Sequence, residues 1–396
     1  MTAIVVLGGA DGSLSTIRTA QAMGLRTICV DMRTDAPGAI AADELVNIST
    51  HQIDALAGVL APMRDLAAVV SPGSDVNLPT QYALARALNL PCGLSDAAVR
   101  ASVDKGFFRE VCDRLGLPGP RFVQGDIAQV ADAAAMPAPV VMVKPSDSSG
   151  SRGVRRISDP AELPDAVAYA ATFSPTRVVI VEEYLSGHDY AAEAVVVDGS
   201  VAVLGVTERE LTPPPYFVTV EHRMPTHKID VDELRATLDA LCDVLEYRWG
   251  ALSVDLIHTD DGRLVVLEWG ARLGGNGMPE LVRLTCGVDA IEAYVRMALG
   301  EIPDLEPRFA RHAGMRVISA PFEGKLTTIG GLAEARALDS VADIVLAVTP
   351  GEHVVPYTRA GAKLGYVLVR GDFAPAIVDS LDAVDSVLKF TIEDRV

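Results

Sequence analysis

The stretch from Trp249 to Asn276, WGALSVDLIHTDDGRLVVLEWGARLGGN, does most to limit what this chain can become. Its first run, Ala251 to Ile257, alternates small or apolar residues with Ser253 and Asp255. Its second, Arg263 to Trp269, is β-branched and apolar until it meets Glu268. Between them lies Thr259-Asp260-Asp261-Gly262, with glycine where a tight turn needs a positive φ. The two runs read as a β-hairpin, which sets Asp255 and Glu268 side by side on the inward face. Neighbouring carboxylates in a partly buried place repel, and coexist only with a cation or a shared proton. Mg²⁺, held by one or two carboxylates and shared with substrate phosphates, is one solution. A surface hairpin with both acids in water is the other. Arg272 follows inside a glycine-rich segment, placed to meet negative charge.

The chain has 396 residues, enough for several domains of ordinary size. Hydrophobic residues make up 49%, which supplies packed cores and argues against disorder. A formal net charge of −19 argues against nucleic-acid binding, so an anionic ligand needs a locally positive site. The five cysteines, Cys29, Cys92, Cys112, Cys242 and Cys286, are scattered without a CxxC pair, so neither a disulfide framework nor a zinc cluster is expected. MTAIVVLGGADGS runs into a glycine turn without a basic leader, and no apolar run reaches spanning length. The expectation is a cytoplasmic protein with no membrane partner.

Ile4 to Leu7, the turn Gly8-Gly9-Ala10-Asp11-Gly12-Ser13, a helix to Met23 and a strand ending at Asp31 form a β-loop-α-β unit of doubly wound type. Ala67 to Ser71 is a further strand, and Gly73-Ser74-Asp75 opens a helix through Ala87. The glycines read GGxxG rather than GxGxxG, so a dinucleotide fingerprint is disfavoured. A loop that cradles a substrate group at the carboxyl end of the sheet is the alternative. Ala97 to Leu115 predicts one amphipathic helix with Lys105 near its middle, where a lysine is ordinarily a solvated charge.

Pro139 to Pro145, PVVMVKP, is an apolar strand carrying Lys144, followed by the Ser/Gly loop Ser146 to Gly153 with Arg152 inside it. Backbone amides and hydroxyls in such a loop can wrap phosphate oxygens. It is not a Walker A loop. The alternative is a plain flexible surface hairpin. Arg177 to Tyr184 is another strand, running through Glu182 and Glu183 into Leu185-Ser186-Gly187-His188-Asp189. Its backbone can meet an adenine edge, and Asp189 the ribose hydroxyls.

In this order, Asp104-Lys105, VVMVKPSDSSGSRGV, VEEYLSGHDY, Asp255 and Glu268 resemble the ATP-grasp superfamily over nearly the whole length. VEEYLSGHDY is similar to the hinge of D-alanine–D-alanine ligases. The resemblance implies ATP and Mg²⁺ (or Mn²⁺) as cofactors, with Asp255 and Glu268 as metal ligands. It implies that Lys105 and Lys144 meet the α- and β-phosphates, and that the loop at Ser148, Ser149 and Gly150 closes over them. Glu182, Glu183 and Tyr184 then fall on the adenine side, with the Leu185 backbone at the ring and Asp189 at the ribose. Many members carry Glu-x-Asn on the second metal strand, the Asn also being a ligand; here the position is Gly270. That variant looks like the L-amino-acid ligase branch, where the arginine near this turn holds a substrate carboxylate or the developing oxyanion. Arg272 takes that role, with Lys144 and Ser149 beside it in catalysis.

The rest of the reading follows from that likeness. Tyr216 and His222, on the proline-stiffened segment from Pro213 to Pro225, and Gly274 are expected at the substrate. Val231 to Leu245 and Pro279 to Ala298 read as helices. Short strands Gly314 to Ala320, Gly324 to Leu326, Ile344 to Val348 and Tyr366 to Arg370 precede a helix from Ala374 to Leu388. The expected fold is a multidomain α/β and α+β chain: a Rossmann-like pre-ATP-grasp domain over 1–98, a lid with linker helix over 99–180, the large ATP-grasp subdomain over 181–308, and a small α+β domain over 309–396. The expected activity is ATP-dependent ligation of a small carboxylate, such as an amino acid, to an amine through an acyl phosphate, in a homodimer as is usual for the family. The alternatives are a carboxylase, an ADP-forming acyl-thiol ligase, or a non-catalytic ATP-binding regulator.

Overall fold

Uninterrupted apolar runs build the first sheet of the computed structural model, which describes residues 1–132 and 136–393. Ala3–Leu7 (β1), Arg26–Val30 (β2), Glu44–Val46 (β3) and Leu66–Val70 (β4) pair in parallel in the order β3-β2-β1-β4. Every residue of β1 is buried, as expected of a parallel strand covered by helices on both faces.

The lid is antiparallel. Phe122–Gly125 (β5), Val141–Pro145 (β6), Arg155–Ile157 (β7) and Val179–Glu183 (β8) lie in the order β5-β8-β6-β7. The helix Leu163–Ala171 packs on their apolar face through Leu163, Val167 and Ala170.

The centre is one antiparallel sheet. Gly187–Val197 (β9), Ser200–Leu211 (β10), Thr219–Met224 (β11), Gly250–Thr259 (β12), Leu264–Gly270 (β13) and His312–Ile318 (β14) come first. Gly324–Gly330 (β15), Val341–Leu346 (β16), His353–Val354 (β17), Gly365–Gly371 (β18) and Lys389–Glu393 (β19) complete the chain. The large sheet runs β13-β12-β9-β10-β11-β14-β18-β16, and a small one runs β17-β15-β19. Strands of the C-terminal segment therefore extend the central sheet. A continuous apolar cluster links Ile4 and Val6 of the first sheet to Tyr294, then to Val195 and Leu368 of the large one. No helix among the described residues is long and apolar enough to cross a membrane.

Two expected helices are each divided. The predicted helix over Ala97–Leu115 forms instead as Asp96–Val103 and Lys105–Arg114. Asp104 between them is extended and accepts the Phe107 N–H at 3.1 Å, capping the second helix. Lys105 thus opens a helix rather than sitting within one. Likewise Pro279–Ala298 forms as Met278–Cys286 and Ala290–Ala298. Gly287, at φ +82°, ends the first, and Asp289 caps the second. The strands β3, β5, β10, β11, β17 and β19 have no counterpart in the sequence reading, and β11 forms within the segment read as a proline-stiffened loop.

Candidate active site

The hairpin forms as read. Asp255 on β12 lies directly opposite Glu268 on β13, and the turn closes with Gly262 at φ +86°. Both carboxylates line a cleft of about 680 Å³ between the lid and the large sheet. Their side chains are 35% and 45% exposed, so the environment is neither bulk water nor dry core.

Each acid already has a cation. Arg209 Nη1 lies 2.6 Å from Asp255 Oδ2, and Lys105 Nζ lies 3.1 Å from Glu268 Oε1. Arg209 also donates to Asp189 Oδ1 at 3.3 Å. Burial pushes the Asp189 carboxyl above its usual range, and Arg209 only partly opposes this. Lys105 donates in addition to the Ser148 carbonyl at 2.9 Å, tying the helix start to the Ser/Gly loop. For Lys105, burial disfavours the charged form, but Glu268 outweighs it and the ammonium is held above its ordinary value.

Hard carboxylate oxygens facing a cleft lined by lysines suit Mg²⁺. Among the described residues no cluster of three or more His, Cys, Asp or Glu side chains forms a complete cage. Two carboxylates with phosphate and water completing the shell is the usual way Mg²⁺ is held. The missing third ligand has a steric cause. A Cβ at Gly270 would sit 2.8 Å from Asp75 Oδ1 and 3.2 Å from the Arg272 guanidinium carbon. The space of a side chain at position 270 is taken by the Arg272–Asp75 pair. That pair is bidentate, with Arg272 Nε and Nη2 each donating to Asp75 at 2.8 Å, and Nη1 donates to the Leu273 carbonyl at 3.0 Å.

Glu182 and Lys144 sit at the core of the lid. Lys144 Nζ donates to Glu182 Oε2 at 2.7 Å and Arg109 Nε to Glu182 Oε1 at 2.7 Å. Arg109 and Glu182 are each 1% exposed. Burial raises the Glu182 pKa, but Arg109 and Lys144 outweigh it and hold the carboxyl at about 2. The Glu182 side chain is thus a structural anchor of the lid, which leaves the assignment of its strand to the adenine side, made through the backbone, as it was. Both its oxygens are engaged by these cations. Glu183 accepts from Arg121 at 3.2 Å, and Arg156 stacks on the Tyr184 ring. Leu185 and Asp189 line the cleft beyond them.

Ser148, Ser149, Gly150 and Arg152 line the same cleft. Gly150 at φ +72° and Ser151 at φ +58° turn the loop. Among the described residues the buried Ser148 hydroxyl has no partner, a donor available to a ligand. Ser151 Oγ donates to the Phe217 carbonyl at 3.2 Å, linking the lid to the proline loop.

At the far end His222 lines the cleft and shares a 2.8 Å hydrogen bond with Thr207 Oγ1. Burial, reinforced by Arg209, lowers its pKa to about 3, so the ring is neutral. Tyr216 is corrected: it is 45% exposed and lies outside the cleft lining, whereas Phe217 lies within it. Phe217 adopts φ +51°, which reverses the chain between the two rings. Gly274 is corrected too. It faces a second cleft beside the first sheet, and its N–H donates to Glu193 Oε2 at 2.9 Å. Glu193 is fully buried, its Oε1 unpartnered, and burial pushes its carboxyl well above the usual range against the Gly274 N–H. At the opening turn, the Gly9 N–H donates to Asp31 at 2.7 Å, so an acid occupies the amide that a phosphate cradle needs.

Sequence reasoning assigned no role to Arg209, Arg109, Asp75, Glu193, Tyr357 or Arg359. Arg209 had a signal, a cation in register with apolar positions of a long strand. Asp75 had one as well, at the carboxyl end of a parallel strand. The others become visible only when distant segments meet.

Comparison with known proteins places this geometry. A family model for the ATP-grasp domain matches residues 136–280. One for L-amino acid ligase C-terminal domain 2 matches residues 316–393. An uncharacterized protein, y4rH, of Sinorhizobium fredii is 30% identical over 363 residues, covering 88% of this chain and 72% of its own length. The crystal structure of an L-amino acid ligase from Bacillus licheniformis superposes with a TM-score of 0.85 at 21% identity, covering 100% of this chain and 99% of that one. The biotin carboxylase domain of Hydrogenobacter thermophilus 2-oxoglutarate carboxylase, crystallised as a dimer with MgADP and bicarbonate, gives 0.78 at 17% identity, covering 99% and 91%. These two likenesses establish the fold.

Proposed function

The chain belongs to the ATP-grasp superfamily, with a C-terminal segment of the L-amino acid ligase type, and on that basis we propose an ADP-forming ligase that joins a small carboxylate to an amine. The observation that carries this reading is the opposed pair Asp255 and Glu268, each balanced by a cation, in one cleft with Lys105, Lys144 and the Ser/Gly loop. Carboxylates suited to a metal, lysines suited to phosphate oxygens and a Ser/Gly loop line one cleft, which supports the reading.

Asp255 and Glu268 would hold Mg²⁺, which supplies charge neutralisation on the terminal phosphates. Lys105 and Lys144, now paired with Glu268 and Glu182, would take up the phosphate oxygens. Ser148, Ser149 and Gly150 would cover them and keep out water that hydrolyses an acyl phosphate. The γ-phosphoryl group passes to a carboxylate oxygen, releasing ADP. The amine then attacks the acyl carbon, phosphate leaves with the C–O electron pair, and the nitrogen loses a proton to give the amide. Arg272, fixed by Asp75, would offer its remaining Nη hydrogens to the oxygen that becomes negative in that step. Neutral His222 serves as a hydrogen-bonding wall rather than a second charge. Amino acids are the proposed substrates, the four-part division given above the proposed domain plan, and a homodimer in the cytoplasm the proposed state.

A coupled ADP-release screen over amino acids, singly and in pairs, tests the reading. ADP should form only with a productive pair, and Glu268→Ala should abolish it while the fold persists. The biotin carboxylase likeness makes bicarbonate the necessary control. ADP release that needs bicarbonate and no amine would replace the ligase with a carboxylase.

A further inference from the structure

The strap between β17 and β18 brings a cation without a carboxylate partner among the described residues to the lining of the cleft. Tyr357, Arg359, Ala360 and Gly361 all line it. The strap is fastened on both sides of Arg359. The Tyr357 hydroxyl donates to the Thr219 carbonyl at 2.9 Å, at the start of the strand that carries His222. Lys363 pairs with Asp11 at 2.6 Å and donates to Asn276 at 2.7 Å, which ties it to the opening turn and to the glycine-rich segment after Arg272. The lid loop reaches the same strap: a Cβ at Gly150 would lie 3.8 Å from that of Ala360.

Apart from Arg152 in the lid loop, the other cations of the cleft are paired with acids. Lys105 has Glu268, Lys144 has Glu182, Arg209 has Asp189 and Asp255, and Arg272 has Asp75. Arg152 donates to the Ser149 carbonyl within the phosphate-side loop. Arg272 is the residue expected to hold a substrate carboxylate, yet its fork is filled by Asp75 and its remaining Nη1 contact goes to Leu273. Asp75 takes the Nε/Nη2 edge and Leu273 one Nη1 hydrogen, so what remains is one hydrogen on each Nη, the two assigned above to the developing oxyanion. Arg359 is exposed, and among the described residues no carboxylate pairs with it. The fastenings on either side of it run to Thr219, on the strand that carries His222, and to Asn276, and both His222 and Asn276 line the same cleft.

We infer that Arg359 is a specificity-determining residue that binds the carboxylate an amino-acid substrate does not use in amide formation, so that the C-terminal segment completes the substrate pocket. This rests on the ligase reading. The guanidinium fork matches a carboxylate, and its fastened backbone leaves little to order on binding. The substrate class follows: a ligand with a free carboxylate remote from the reacting centre, excluding simple monoacids and amines as preferred partners.

The test compares wild type, Arg359→Gln and Arg359→Lys in Mg-ATP-dependent ADP release. Free L-amino acids, in pairs, are set against the same pairs with one partner supplied as its carboxamide. Removing one charge-assisted contact should raise KM for the free acid about 10- to 100-fold in Arg359→Gln. The KM for ATP and the melting temperature should not change, Arg359→Lys should recover part of the loss, and the carboxamide should show no difference between enzymes. Equal KM values for the free acid, an equal loss on acid and carboxamide, or a raised KM for ATP would each overturn the inference while leaving the ligase intact. If wild type releases ADP with no pair at all, the ligase reading fails, and the inference with it.

Discussion

Arg209 lies between two acids that belong to different parts of the proposed site, 2.6 Å from Asp255 and 3.3 Å from Asp189. Its side chain is 9% exposed. A nearly buried guanidinium thus holds the metal-side carboxylate and the ribose-side carboxylate on one face of the sheet.

Removing that cation leaves two partly buried acids facing each other. Arg209→Met should destabilise the fold by about 1–3 kcal/mol, less than a fully buried pair would cost because the acids left behind are 27% and 35% exposed. Mg²⁺ in the millimolar range should restore part of the loss in the variant and do less for wild type. Urea melts with and without Mg²⁺ measure both, and a variant as stable as wild type would show that Arg209 is not the counter-ion.

The lid depends on the Arg109–Glu182–Lys144 cluster. Glu182→Ala leaves Arg109 buried at 1% exposure without its carboxylate. A loss of about 3–5 kcal/mol is expected, and with it protease sensitivity within residues 121–183. Limited proteolysis followed by mass mapping checks this. Cleavage confined elsewhere would contradict the lid assignment.

His222 gives a pH signature. The unfolded ring titrates near 6.5 and the folded one near 3, so between those values the unfolded chain binds a proton that the folded chain does not. Stability from this group is complete above pH 6.5 and is lost as pH falls toward 3. Glu182, at about 2 against 4.5, adds a loss of the same sign only below pH 4.5. Between pH 6 and 4.5 the His222 contribution has a slope of about 1.4 kcal/mol per unit. Subtracting the unfolding free energies of His222→Gln from those of wild type across that range isolates it. A pH-independent difference would mean that the ring is charged in the fold.

Gly274 is required for packing against Glu193. A Cβ there would meet the Glu193 carboxylate, which is fully buried and holds the Gly274 N–H. Gly274→Ala should cost about 1–3 kcal/mol as an overpacked site and lower kcat by displacing Arg272. Melting temperature and kcat should fall together; either one moving alone would separate the two roles.

The acid hairpin was legible because a period-2 pattern and its turn lie within twenty-odd residues, and register follows from them. The lid strand with Lys144 and the glycine loop were legible for the same local reason. Arg272 was legible as a cation but not as a saturated one, since Asp75 comes from 197 residues away. Arg209 reads in TEREL as ordinary charged alternation; only its place beside Asp189 on β9 and across β9 from Asp255 gives it meaning. Tyr216 and Phe217 could not be told apart, because a positive φ at Phe217 decides which ring turns inward. The break at Asp104 was visible in principle as a cap followed by a new amphipathic run, but apolar periodicity carries through it and hides the division.

The central claim is that Asp255 and Glu268 bind a divalent ion that grips the nucleotide. The most direct measurement is ADP affinity by calorimetry, with and without Mg²⁺, in wild type and in Asp255→Asn/Glu268→Gln. In wild type Mg²⁺ should tighten ADP by at least tenfold. In the double variant that gain should vanish, with metal-free affinity retained. An undiminished Mg²⁺ effect in the double variant would contradict the account.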